Sequence, residues 1–76
     1  MNRRNDWQGA LKIANESLKG FNISLEITED DGTYGLDIVY PDNVEHYACG
    51  YFEDELEMLI QDTYFELESN EINAEL

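Results

Sequence analysis

After Lys19 the chain contains no lysine and no arginine. The 57 residues from Gly20 to Leu76 hold sixteen carboxylates and one histidine, His46, for a formal charge of −16; the first 19 residues carry +2. A surface built only for solubility mixes both signs, and self-repulsion on this scale works against a compact state. A strongly basic partner is therefore expected. The same lack of bases argues against direct contact with nucleic acid or with anionic lipid, both of which would repel this chain.

Other scarcities exclude further classes. One cysteine, Cys49, rules out an intramolecular disulfide and suits a reducing cytoplasm. No stretch approaches 18 apolar residues, so no membrane span is expected. The basic opening is not followed by an apolar run of signal-peptide length. The five glycines are scattered and build no phosphate loop. His46 and Cys49, three apart on an expected strand, would face opposite ways, which disfavours a zinc site or a Cys–His nucleophile pair. Asp30-Asp31-Gly32 lacks the alternating ligands and the distal glutamate of an EF-hand loop. Paired carboxylates could serve acid–base chemistry, but only in a cleft that a domain of this size has little room for. Neither catalytic residue, metal nor cofactor is expected.

What is present is enough to fold. Disordered acidic chains lack aromatics and β-branched residues; here 42% of residues are hydrophobic and 12% aromatic, and they recur periodically. Seventy-six residues make one domain with one small core. Trp7, Ala10, Leu11, Ala14 and Leu18 fall on one face of a helix over 6–19, with Asn5 as its cap and Gly20 as its left-handed stop. Residues 21–28 alternate, with Phe21, Ile23, Leu25 and Ile27 inward. Asp31-Gly32 is a two-residue hairpin signal. Residues 33–40 alternate again, with Tyr34, Leu36, Ile38 and Tyr40 inward. Pro41-Asp42-Asn43 is a second turn, and 44–49 a third strand. Its facing stays open: Val44, His46 and Ala48 inward, or Glu45, Tyr47 and Cys49. Gly50 ends that strand. A second helix over 52–68 carries the stripe Phe52, Leu56, Leu59, Ile60, Thr63, Tyr64 and Leu67, and 69–76 loses periodicity and is expected to fray. The fold class is α+β, a two-layer sandwich in which both helices cover one face of a three-stranded antiparallel meander.

The acids then fall into groups. A two-residue turn registers Glu26 opposite Asp37 on the open sheet face, a like-charge pair that disfavours the sheet. Glu29, Asp30 and Asp31 crowd the hairpin tip. Glu53, Asp54, Glu55 and Glu57 open the second helix, where the dipole favours them; Asp62, Glu66 and Glu68 follow where it does not. Carboxylates three or four positions apart on a helix have Cβ atoms ~5–6 Å apart, near the phosphate step of a DNA strand. Tyr51 is expected to be exposed beside them. Two unguarded sheet edges leave the chain a monomer or a homodimer through an edge strand.

In size, acidity and a sheet of three strands flanked by helices, the chain resembles the small phage-encoded anti-CRISPR proteins and other phage DNA mimics. The segments Glu29-Asp30-Asp31-Gly32 and Glu53-Asp54-Glu55-Leu56-Glu57 are similar in kind to acidic segments of some Cas9 inhibitors. The resemblance implies a non-catalytic inhibitor acting in the cytoplasm of a bacterial host cell, whose partner is a basic nucleic-acid-binding protein such as a Cas effector complex. It also implies that Asp30, Asp31, Asp37, Glu53, Asp54 and Glu57 stand in for phosphates or base edges. Glu26, across from Asp37, and Glu29, at the hairpin tip, join the expected partner-binding set. The electrostatics alone also fit an acidic adaptor or an antitoxin-like protein that neutralises a basic toxin.

Overall fold

The computed structural model describes residues 6–73, with side chains through residue 70. Helix α1 (Trp7–Leu18) leads through a 3-10 turn (Lys19–Phe21) into β1 (Ser24–Asp30), β2 (Thr33–Val39) and β3 (Val44–Tyr51). A second 3-10 turn (Glu53–Glu55) opens α2 (Leu56–Asn73). The strands form one antiparallel sheet in the order β1-β2-β3. Leu18 of α1, Leu25, Leu36 and Ile38 of the sheet, and Leu56 and Ile60 of α2 share one buried core. This is the α+β arrangement that the periodicities require.

Within that frame the element ends differ from expectation, each for a local reason. Asp6 caps α1, its carboxylate accepting the Gly9 N–H at 3.2 Å; the expected cap, Asn5, lies outside the described residues. Gly20 is not the left-handed stop. The helix tightens into the 3-10 turn, and Asn22 takes the left-handed conformation (φ 61°), its N–H bonding the Lys19 carbonyl at 3.0 Å. Asparagine tolerates that region better than most side chains. Phe21 is therefore in the turn and exposed, and the strand begins at Ser24 rather than at 21.

The first hairpin forms as its dipeptide demands. Asp31 (φ 56°) and Gly32 (φ 90°) both sit at positive φ, the geometry whose twist matches the flanking strands. Leu25 pairs with Ile38, Glu26 with Asp37 and Ile27 with Leu36.

Strand β3 follows neither of the two facings. His46 pairs with Asp37 but Ala48 pairs with Leu36, so Tyr47 is an extra residue, and a further shift precedes the Tyr34–Tyr51 pair. Bulges of this kind change the phase of a strand. His46 lies on the open face with Asp37. Tyr47 reaches the helix side, where its hydroxyl donates to the Glu66 carboxylate of α2. Ala48 and Tyr51 pack against the core, whereas Cys49 is exposed. Gly50 (φ 82°) sits inside the strand instead of ending it.

At the second helix, the 3-10 turn delays the α-helical phase to Leu56, so Phe52 drops out of the buried stripe and stands 60% exposed. Leu56, Leu59, Ile60, Thr63 and Leu67 are buried as expected. The Thr63 hydroxyl is satisfied within its own helix, donating to the Leu59 carbonyl at 2.7 Å. The helix does not stop at 68 but continues to Asn73; residues 69–73 contain no glycine or proline to break it.

An odd number of strands fixes the polarity of everything else. Both β1 and β3 run toward the hairpin tip, so α1, which precedes β1, and α2, which follows β3, both start at that end. Contacts at the helix starts agree: the Trp7 indole of α1 donates to Glu53 beside α2 at 3.2 Å and its ring lies 6.4 Å from that of Tyr34.

Candidate functional site

The topology gathers acidic segments that are far apart in sequence. Glu29 pairs with Tyr34, Asp30 with Thr33, and Tyr34 with Tyr51. Glu53, Asp54 and Glu55 follow Tyr51 within four residues, so the hairpin tip and the second 3-10 turn occupy the same end of the molecule. Electrostatics report the convergence independently. The Tyr34 hydroxyl is held above its ordinary pKa first by desolvation, then by the Glu53 and Glu29 carboxylates. One ring thus feels both segments.

Each carboxylate there has a physical setting. Glu29, Asp30, Asp31, Glu53, Asp54 and Glu55 are exposed. Glu53 accepts the Trp7 indole N–H. Glu55 accepts the Phe52 N–H at 2.8 Å and so closes the start of the helix. Both helix N-termini point their positive dipole ends at this region, which favours negative charge there. Among the described residues the lysines are Lys12, midway along α1, and Lys19, beyond its C-terminus at the opposite end. The exposed aromatic residue beside the acids is Phe52, not Tyr51, which is half-buried against the core. No group of three or more histidine, cysteine, aspartate or glutamate side chains among the described residues is arranged to hold a metal ion.

The open sheet face is a second, different acidic place. Glu26 does oppose Asp37, but the pair is not left uncompensated as the strand pattern suggests. His46 Nδ1 lies 2.9 Å from Asp37 Oδ1, with the Asp37 side chain only 13% exposed. The bond to Asp37, and then the attraction of its charge, raise the His46 pKa above the ordinary value, against a smaller desolvation effect. His46 takes this face by simple alternation ahead of the bulge, in register with Asp37; the sequence leaves the strand's facing open, so the contact could not be read from the alternation. Asp37 is therefore bonded to His46 within the sheet, apart from the acidic end.

Glu57 also separates from the cluster. It is half-buried in the first turn of α2, on the stripe that includes Gln61 and Tyr64. Further along, Glu66 binds Tyr47, whose pKa that contact pushes up to about 12, with desolvation next. Glu68 accepts the Tyr64 hydroxyl at 3.1 Å.

One contact at the sheet edge escaped sequence reasoning. Asn15 lies beside the outer edge of β1, its amide oxygen accepting the Leu25 N–H at 2.7 Å and its amide nitrogen donating to the Leu25 carbonyl at 3.2 Å. At Leu25 that edge is thus occupied where an added strand would bond. The available signal was an asparagine in a helix interior, where the residue is a weak helix former.

No helix among the described residues is long and apolar enough to cross a membrane. Neither protein-family models, curated proteins nor solved structures provide a match to this chain.

Proposed function

We propose that this protein is a non-catalytic inhibitor that presents its acidic hairpin end to a basic nucleic-acid-binding site in place of DNA. A target-DNA-loading groove of a Cas effector is the site that its resemblance to phage anti-CRISPR proteins implies. The observation that carries the reading is the convergence of Glu29, Asp30 and Asp31 with Asp54 at one end of the fold, beside the exposed ring of Phe52. Carboxylates at such a tip can meet arginine and lysine heads where phosphates would otherwise lie, and an exposed aromatic ring supplies the apolar anchor that protein interfaces favour.

The decisive experiment couples capture to competition. The tagged protein is used to pull down nucleases from a host lysate, and duplex DNA is then titrated against the captured complex. A mimic and DNA exclude each other, and binding weakens by about tenfold or more between ~50 and ~200 mM salt. The combined variant Asp30→Asn, Asp31→Asn, Asp54→Asn loses most of the affinity. Simultaneous binding of DNA and inhibitor would instead identify an adaptor or antitoxin-like module, and affinity that ignores salt would sink the electrostatic reading altogether.

A further inference from the structure

The helical layer carries an apolar surface on its outer side. Ile13 of α1 and Phe65 and Met58 of α2 are 66%, 63% and 62% exposed. They are not scattered. Between the helices lies a groove of about 110 Å3 lined by Ala10, Ile13, Ala14, Ile60, Gln61 and Tyr64. Phe65 continues it, its ring 5.9 Å from that of Tyr64. Met58 lies three residues before Gln61 and seven before Phe65, on the same side of the helix. A chain this rich in carboxylates does not need large apolar groups on a solvent face, and contiguous patches of this kind mark interaction sites.

Size and charge select the occupant. A groove of this volume is smaller than the ~150 Å3 of a cavity that takes up benzene and far below the ~300–1,000 Å3 of small-molecule sites. It has room for one aliphatic side chain delivered by a protein. On α2 the groove stripe reads Glu57, Gln61, Tyr64, Glu68, an apolar and amide centre bracketed by carboxylates, both of them half-buried. At ~1.5 Å rise per residue the two acids stand roughly 16 Å apart along the axis. A second copy of this chain would bring the same carboxylates to the same rim and add to a net charge of −14 on each molecule. A helix with apolar residues on one face and basic residues about three turns apart complements both features.

We infer that the groove between α1 and α2 docks a basic amphipathic helix of another protein. The helix seats an aliphatic side chain over Ala10, Ala14 and Ile60 and sets lysine or arginine beside Glu57 and Glu68. This surface runs along the two helices and uses none of Glu29, Asp30, Asp31 or Asp54, so it stands whether or not the hairpin end imitates DNA.

The test uses the full chain and a fluorescent helical peptide of about 18 residues, with leucines along one face and lysines bracketing them. A control peptide keeps the lysines and replaces the leucines with serine. At 150 mM salt the leucine peptide binds at least tenfold more tightly than the control. The double variant Ile13→Ser, Phe65→Ser, altered only at exposed positions and checked for native circular dichroism, brings the two peptides within about twofold of each other. Glu57→Gln with Glu68→Gln weakens the leucine peptide and flattens its salt dependence. Asp30→Asn, Asp31→Asn, Asp54→Asn leaves its preference over the control in place, which separates this site from the hairpin end. Equal binding of the two peptides to the wild-type protein overturns the proposal, as does a preference that survives Ile13→Ser, Phe65→Ser. So does a dimer seen in sedimentation that this double variant dissolves, since the face would then belong to a second copy.

Discussion

The open face of the sheet and the hairpin end of the molecule carry the same kind of residue and balance it differently. On the face, Glu26 stands opposite Asp37, and a third strand brings His46 to Asp37 at 2.9 Å. At the end, Glu55 is held by a neutral donor, the Phe52 N–H, with two helix N-termini behind it. A cationic partner offsets a carboxylate's charge, whereas a neutral donor holds the carboxylate in place and leaves its field projecting outward. The two regions thus divide the acid content into a part that is consumed by the fold and a part that remains available. A count of charges along the chain does not make that distinction.

Both regions hang on β3, so the largest disturbance should come from its bulged pairing with β2. Gly35 sits at the irregularity. A Cβ there would lie 2.7 Å from the Ala48 carbonyl oxygen and 3.0 Å from Thr28 Oγ1. The first of these is backbone and cannot swing aside. Gly35→Ala is expected to lower stability by about 1–3 kcal/mol, as overpacking does, and to lower the melting temperature by at least about 4 °C in a domain this small. It should disturb the His46 contact and the Tyr34–Tyr51 pairing together. A neutral result in urea unfolding would mean that the bulge does not set the relation between the face and the end.

The second disturbance acts on the end alone and has the opposite sign. Asp30→Asn with Asp31→Asn removes two charges from the tip while keeping its turn, because asparagine accepts the left-handed conformation that residue 31 requires. Relief of like-charge repulsion should raise the melting temperature by roughly 2–4 °C at low salt, even as affinity for a basic partner falls. A lower melting temperature at low salt would show that these carboxylates are held by favourable native contacts, and the contrast with the sheet face would collapse.

The parts of this arrangement legible in the sequence were those governed by strictly local rules. Asp31-Gly32 fixes the turn, the turn fixes the register, and the register fixes Glu26 opposite Asp37. The buried stripe from Leu56 to Leu67 follows from helical spacing alone. The features that escaped depend on one segment's geometry relative to another. The start of β1 moved because Asn22, not Gly20, took the left-handed position, and both residues are plausible stops. The facing of β3 could not be chosen because the strand uses both phases, switching between them where Gly35 leaves room. Asn15 and Leu25 are ten residues apart and meet only after α1 has folded back over the sheet edge. For the candidate site, local rules identified the acids but not their grouping. Sequence adjacency placed Glu57 with Glu53 and Asp54, while helical rotation turns it toward α1 instead.

The smallest expected effect tests whether the sheet face is truly the compensated region. His46 gains a partner on folding, so its pKa in the folded protein is raised. A group whose pKa rises on folding contributes stability that is fully present below its unfolded value, ~6.5 for histidine. That contribution fades as the pH climbs through the higher folded value. The Asp37–His46 pair should therefore help near pH 6 and progressively less above neutrality, leaving the opposed charges of Glu26 and Asp37 less relieved. Comparing wild type with His46→Gln isolates the charge, since glutamine can still bond Asp37 and does not titrate. Because the His46 side chain is 84% exposed, solvent screens the interaction and the difference is modest. Melting temperatures measured from pH 5.5 to 8.5 should show wild type above the variant at the acidic end and the two curves merging at the alkaline end. Parallel curves would mean that His46 does not charge against Asp37, and that the face, like the hairpin end, keeps its full negative field.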